Sequence, residues 1–303
     1  MKARDIVKLA RFHFLVPGIL LYILGAMLAT VQGYELTWDK FFFGYAIFGL
    51  AHLSVSFSND YFDREGDSGS EPTALSGGSG VLVQHPELAP LALRMALVLL
   101  LASGVLAVAF TLHYDYPWTF LVFALMGGWL GWFYTAPPVK FAYRGLGEVS
   151  TAIAAGLVMP GMGYFVISGA LDAWFLALTL PLVCYGLFFI LTVEMPDVEV
   201  DAVAGKRNML VRFGRRGGAW ISVVACALGT LGFLLIYQSG ALGREVDFGL
   251  IALFSLVPLA VATVALLRFD ESRGGVVRQV KLNFGSMMGF LILTNTMLAL
   301  QVI

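Results

Sequence analysis

Two acidic clusters hold the residues most able to do chemistry: Asn59-Asp60-Tyr61-Phe62-Asp63-Arg64-Glu65-Gly66-Asp67 and Glu194-Met195-Pro196-Asp197-Val198-Glu199-Val200-Asp201. Each follows a long apolar run in a chain otherwise nearly free of carboxylates inside its hydrophobic segments, so both stand where a membrane meets water. On a helix, residues four apart drift only about 40° around the axis. Asn59, Asp63 and Asp67 therefore share a face, and Glu194, Asp197 and Asp201 keep within a similarly narrow arc. Carboxylates crowded in this way repel and take up protons unless a dication sits among them. The expected metal ligands are Asn59, Asp63, Asp67, Asp197 and Asp201. Hard oxygen donors with few His or Cys nearby favour magnesium over zinc or copper, and magnesium held by a few carboxylates commonly keeps its other positions for substrate phosphate. The competing reading, solvated loop acids beside a membrane, leaves the regular spacing and its recurrence unexplained.

The elements that must position these clusters are membrane helices. Hydrophobic residues make up 59% of the 303 and charged residues 13%, with a mean hydropathy of +0.83. That is about half the charge of an ordinary soluble domain. Apolar stretches near the ~20 residues that span a bilayer fall at 12–33, 41–58, 88–113, 117–136, 147–168, 171–193, 218–240, 247–268 and 282–303. The expected fold is an all-α polytopic membrane bundle of about nine transmembrane helices, forming one domain over 1–303. The clusters end the second and sixth spans, four helices apart, as expected of two facing four-helix units plus one around a central cavity.

Basic residues set the orientation, because cytoplasmic connections are enriched in Lys and Arg. Sixteen of the nineteen lie at the N-terminus and in the even-to-odd connections, among them Arg64, Lys140, Arg144, Lys206 and Arg207; only Lys40 and Arg244 lie in the others. The N-terminus is thus expected in the cytoplasm, with both clusters on that face and able to share one site. The run from Phe12 to Val31 is long for a signal core, contains Pro17, and leads into further membrane segments, so it reads as a span. Cys184 and Cys226 lie mid-span and build no disulfide framework. A near-neutral chain with no basic cluster beyond the orientation signal argues against nucleic acid as a partner.

Other residues at the same face are candidates for substrate contact. Lys206, five residues past Asp201, leads among the cations for a phosphate, ahead of Lys140, Arg144 and Arg207, which also serve orientation. Ser76-Gly77-Gly78-Ser79-Gly80 can present backbone N–H groups to an anion but lacks a P-loop lysine, so it equally reads as a flexible loop. Tyr134 closes the fourth span before Thr135-Ala136-Pro137-Pro138, and Glu148 either meets a polar substrate or starts the fifth helix.

Asn59-x-x-x-Asp63-x-x-x-Asp67 paired with Asp197-x-x-x-Asp201-x-x-x-Gly205-Lys206-Arg207, on a nine-span layout, resembles the UbiA superfamily of intramembrane prenyltransferases. Asp60 and Glu199 also stand where that family often carries acids. Tyr134-x-x-Pro137-Pro138 and Arg144-Gly145-Leu146-Gly147-Glu148 are similar to segments of its menaquinone-type branch, which prenylates 1,4-dihydroxy-2-naphthoate. Such enzymes usually follow the first motif with a basic residue, whereas nothing between Arg64 and Arg94 here is Lys or Arg. The resemblance implies Mg2+-dependent transfer from a polyprenyl diphosphate to a small aromatic acceptor within the lipid bilayer, with two Mg2+ ions bridging the diphosphate. It implies Asp63, Asp67, Asp197, Asp201 and Lys206 as catalytic, and Asn59, Asp60, Lys140, Tyr134, Arg144, Glu148 and Arg207 as substrate-binding. Other acceptors, namely 4-hydroxybenzoate, a tetrapyrrole, a haem precursor or a glycerol phosphate, are alternatives. An ion-coupled transporter would place its acids near the midplane, and a CDP-alcohol phosphotransferase would need an Asp-Gly-x-x-Ala-Arg start that is absent.

Overall fold

The computed structural model describes residues 3–69 and 77–302, and no strand occurs among them. In chain order the helices are α1 (Ala3–Ala10), α2 (Leu15–Val31), α3 (Trp38–Asp63), α4 (Val81–Gln84), α5 (Ala89–His113), α6 (Trp118–Trp132), α7 (Gly147–Ile153), α8 (Met159–Ser168), α9 (Ala173–Glu194), α10 (Val198–Val203), α11 (Met209–Ser239), α12 (Phe248–Leu267) and α13 (Arg273–Val302). Three long helices begin at side-chain caps. Asp172 accepts from Phe175 N at 2.9 Å, Asn208 from Val211 N at 2.8 Å and Asp247 from Leu250 N at 3.0 Å, satisfying N–H groups that helix geometry leaves without partners.

Among the described residues, eight helical segments are long and apolar enough to cross a membrane, so this is an integral membrane protein. The fourth of the nine expected spans differs from its neighbours. Helix α6 has only 15 residues, about 22 Å at 1.5 Å per residue, against a hydrocarbon core of about 30 Å. Pro117 stands at its start, and beyond Trp132 the chain turns into Pro137-Pro138, which cannot extend a helix. Helix α11 begins nine residues earlier than the apolar pattern alone suggests. Gly214, at φ 71°, breaks it into a short leg, 209–213, and the span proper.

The helices close into a ring. Helices α2, α3, α5 and α6 form one group, and α7–α8, α9, α11 and α12 the other; α2 packs on α8, and α13 bridges α12 to α2. Little hydrophobic force holds helices together inside lipid, so small residues that let backbones touch carry the contact. A Cβ on Gly25 of α2 would lie 1.7 Å from the Pro160 carbonyl oxygen, and one on Gly163 of α8 would lie 1.9 Å from that of Tyr22. Between α7 and α8 a π turn at Ala154–Val158 precedes Pro160, whose missing N–H interrupts the regular ladder. Buried aromatic rings, including Tyr22, Phe110, Phe120, Phe188 and Phe233, fill the core outside a central cavity.

Candidate active site

The cavity has a volume of about 330 Å3 and is lined from α2, α3, α5, α6, α7–α8, α9 and α13. Its walls are mostly apolar, from Leu21, Phe48, Val158, Leu182, Phe189 and Phe290 among others. One end is acidic. Asn59, Asp60, Asp63, Asp67, Tyr134, Glu194, Asp197, Asp201 and Lys206 all line it.

Both clusters reach the cavity, but not on unbroken helices. Helix α3 ends at Asp63, and a 3-10 turn, Gly66–Gly69, brings Asp67 back to the cavity. In the second cluster α9 ends at Glu194, Met195–Asp197 forms a 3-10 turn at Pro196, and Asp201 comes from the separate helix α10. The shared direction expected from one helical face is thus produced by turns.

Lys206 joins the clusters. Its Nζ lies 3.2 Å from Asp63 Oδ2 and 2.9 Å from Asp201 Oδ1. Burial disfavours its ammonium, but these two carboxylates outweigh the loss and raise its pKa. The glycine loop, of which Gly77–Gly80 are described and Ser76 lies outside the described residues, also spans both clusters. Gly77 N donates to Asp197 Oδ2 at 2.9 Å and Ser79 N to Asp60 Oδ1 at 3.2 Å. Its anion-facing N–H groups therefore meet carboxylates. Gly78, at φ 65°, leaves room for Asp67, whose Oδ2 would lie 2.3 Å from a Cβ there.

Tyr143 OH donates to Asp63 Oδ1 at 2.8 Å, and Thr135 Oγ1 donates to Asn59 Oδ1 at 2.9 Å. Tyr134 OH donates to Glu194 Oε1 at 2.9 Å. Asn208 caps α11 with its carbonyl while its amide donates to Asp201 Oδ2 at 2.8 Å, locking the start of α11 to the second cluster.

The donor set fits magnesium. Burial, and then the charge of Asp63, push the Asp67 carboxyl up to about 7, the mark of anionic groups gathered where water solvates them poorly. No three acidic, His or Cys side chains close on a common point among the described residues. Hard oxygens lining a mouth without forming a cage suit an ion that completes its shell with phosphate oxygens and water.

Several expected contacts lie elsewhere. Glu148 is fully buried but absent from the cavity lining, and its carboxylate accepts from Met209 N, so it anchors the start of α11. Lys140 stacks on the Tyr143 ring at 4.7 Å, and Arg144 donates to the Pro138 carbonyl at 2.8 Å. Neither lines the cavity, nor does the exposed Arg207. Glu199 pairs with Arg215, which also donates to Met195 O at 2.9 Å, tying α11 to the second cluster's turn. Conversely Arg11, counted in the sequence only as an orientation charge, lines the cavity 4.0 Å from Asp60. Its guanidinium lies over Phe14 at 4.3 Å. Arg11 thus brings a cation to the first cluster, which has no Lys or Arg between Arg64 and Arg94 in the sequence.

A ring of membrane helices around one apolar cavity, with a carboxylate-rich mouth bridged by a lysine, defines the class: a polytopic membrane protein built to hold an ionic group at its rim and an apolar body within. The chain matches the UbiA prenyltransferase family over residues 19–287 and belongs to it. It is a prenyltransferase. It is 22% identical over 238 residues to the 1,4-dihydroxy-2-naphthoate octaprenyltransferase of Bacillus subtilis, covering 77% of this chain and 74% of that one. Its fold is similar to the apo structure of a UbiA homolog from Aeropyrum pernix K1, with a TM-score of 0.68 and 16% identity, covering 95% of this chain and 98% of that one. It is also similar to a UbiA homolog from Archaeoglobus fulgidus bound to GPP and Mg2+, with a TM-score of 0.66 and 16% identity, covering 95% and 99%.

Proposed function

We propose that this chain, acting as one domain, transfers an isoprenyl group from a polyprenyl diphosphate to an aromatic acceptor, 1,4-dihydroxy-2-naphthoate being the best supported. The observation that carries this reading is Lys206, held by Asp63 and Asp201 at the junction of the clusters and the apolar cavity. The fold's likeness to a homolog bound to GPP and Mg2+ supports the donor, and the similarity to a naphthoate octaprenyltransferase supports the acceptor.

Asn59, Asp63, Asp67, Asp197 and Asp201 would hold magnesium, two ions on the reading from the motifs; when bound, it supplies charge that neutralises the departing diphosphate. Lys206 and Arg11 hold the diphosphate oxygens from opposite clusters. Tyr143 fixes Asp63, while Asn208 fixes Asp201. The apolar walls below keep water from the allylic carbon while its C–O bond breaks toward diphosphate. The ring carbon bearing the carboxyl group then attacks, and carbon dioxide leaves in place of a proton. Tyr134 and Glu194 face the same space, whereas Lys140, Arg144 and Arg207 serve the rim's charge and Glu148 supports α11.

The test of this reading is product identity. Purified protein incubated with radiolabelled geranylgeranyl diphosphate, Mg2+ and a panel of acceptors should label the naphthoate with release of carbon dioxide. Labelling of 4-hydroxybenzoate or a glycerol phosphate alone would replace the acceptor, and labelling of none would overturn the reading.

We further propose that the acidic mouth faces the cytoplasm, a reading supported by the basic asymmetry of the connections. Glu65→Cys and Val203→Cys, both at exposed positions near the clusters, should react with impermeant thiol reagents from the cytoplasmic side. Ser239→Cys, at the far end of α11, should react from the other side only. Labelling of Glu65→Cys and Val203→Cys from opposite faces would refute a shared mouth.

A further inference from the structure

One turn below the mouth, two cavity hydroxyls have no part in the chemistry above. Serines occupy positions 54, 56 and 58 of α3. Ser54 and Ser58 are buried and donate to the carbonyls of Ala51 and Val55, the local bond that a serine inside a helix usually makes. Ser56 is only half-buried and lines the cavity; its hydroxyl makes no hydrogen bond among the described residues, and its oxygen is not sealed in protein. Thr151 on α7 has the same character. Thr30, Thr111, Thr263 and Thr294 donate to the carbonyl four residues back, and the neighbouring Ser150 donates to Gly147 O, but Thr151 does neither. Ser103 and Tyr185, which also line the cavity, bond Ile47 O and Thr230.

The two hydroxyls stand at a similar depth on different halves of the helix ring. Ser56 precedes Asn59 by three residues, about 4.5 Å along α3, and Thr151 lies four residues, about 6 Å, into α7. Helix α7 starts at the mouth, because a Cβ on Gly147 would lie 3.5 Å from the Tyr134 hydroxyl that meets Glu194. When a substrate displaces water from this space, a hydroxyl with no protein partner must bond the substrate or lose a hydrogen bond. An isoprenoid tail offers it none. Charge is better met above, where Arg11 and Lys206 line the mouth; α3 has no Lys or Arg after Lys40, and nothing from Gly145 to Gly205 is Lys or Arg. What fits is a flat ring with uncharged oxygens on two edges. We propose that Ser56 and Thr151 hydrogen-bond the ring oxygens of the aromatic acceptor, one from each half of the bundle, so that its carboxylate points to the mouth and its ring lies beneath the diphosphate. Ser56 and Thr151 thereby determine acceptor specificity. This rests on the prenyl-transfer reading above.

The experiment compares Ser56→Ala, Thr151→Val, the double variant and Thr151→Ser with the wild type. Neither hydroxyl bonds another part of the fold, so all should purify as the wild type does. Each single deletion should raise KM for 1,4-dihydroxy-2-naphthoate by about fivefold to tenfold, and the double by about fiftyfold. Thr151→Ser, which keeps the hydroxyl, should stay near the wild type, and Mg2+-dependent binding of the prenyl diphosphate should be unchanged throughout. With 1-hydroxy-2-naphthoate, which lacks one ring oxygen, one of the two single variants should lose its effect, an outcome that a merely structural role would not produce. An unchanged acceptor KM in the double variant overturns the proposal, as does weakening of diphosphate binding by the same factor or a change only in preferred tail length. Equilibrium dialysis of 1,4-dihydroxy-2-naphthoate against the same proteins separates the two readings. If wild type binds the naphthoate more tightly than the double variant but transfers no prenyl group, the reaction is wrong and the assignment of Ser56 and Thr151 stands; equal binding overturns the assignment.

Discussion

Asp63→Ala and Asp197→Ala each reduce turnover by at least about a hundredfold, the scale on which removing one electrostatic stabiliser of a developing anion acts, and both variants stay folded in detergent. Asp63 closes α3, holds Lys206 at 3.2 Å and accepts from Tyr143 at 2.8 Å. Its loss removes one oxygen donor and frees the lysine from one of its two anchors. Asp197 sits in the turn after α9 and is reached by Gly77 N from across the mouth, so its loss withdraws charge from the second cluster alone. The contacts of both residues lie at the rim, away from the close helix crossings, which is why folding should survive. Steady-state turnover at saturating Mg2+, with monodispersity by size exclusion, checks both halves. Near-normal turnover in either variant would mean that one cluster suffices.

The second large effect is on the fold. Gly25→Leu and Gly163→Leu abolish recovery of monodisperse protein, because each side chain would begin less than 2 Å from a backbone carbonyl of the partner helix. Flexible side chains can yield by a rotamer change, but backbone at a crossing cannot unless the helices separate. Helices α2 and α8 form the seam on which both halves of the ring close, so separation would open the cavity itself. Gly285→Ala on α13, with nothing within 4 Å of an added Cβ, is the control and should purify like the wild type. Equal recovery of all three proteins by fluorescence-detected size exclusion would contradict the packing described.

Much of the site is legible in the sequence because its signals are local. Acids that directly follow apolar runs mark the ends of α3 and α9, and Lys206 lies close enough to Asp201 for chain connectivity to join them. The path by which Asp67 and Asp197 reach the mouth is not legible, since helical spacing and two 3-10 turns deliver the same residues to the same side. Arg11 is lost among the orientation charges, because its role depends on a left-handed backbone at φ 45° and on α3 lying alongside. Asn208 carries a cap signal before α11, but its second bond, to Asp201, is tertiary. Glu148 misleads for the opposite reason. A carboxylate near the mouth in sequence is spent on the Met209 N–H, and nothing local distinguishes that use from substrate contact. The short α6 reads as a full span because hydropathy averages across Phe133 and Tyr134 into the turn.

If the two clusters form one metal-dependent diphosphate site, the binding of the diphosphate reports it more directly than turnover does. Purified wild type, Asp63→Ala and Asp197→Ala are each titrated with a radiolabelled isoprenyl diphosphate, with and without Mg2+ and with no acceptor present. A shared site requires saturable binding by the wild type only with Mg2+, and weakening by about tenfold or more in both variants, since each removes charge from the same bound head group. Binding by Asp63→Ala or Asp197→Ala as tight as the wild type's, or wild-type binding indifferent to Mg2+, would contradict it.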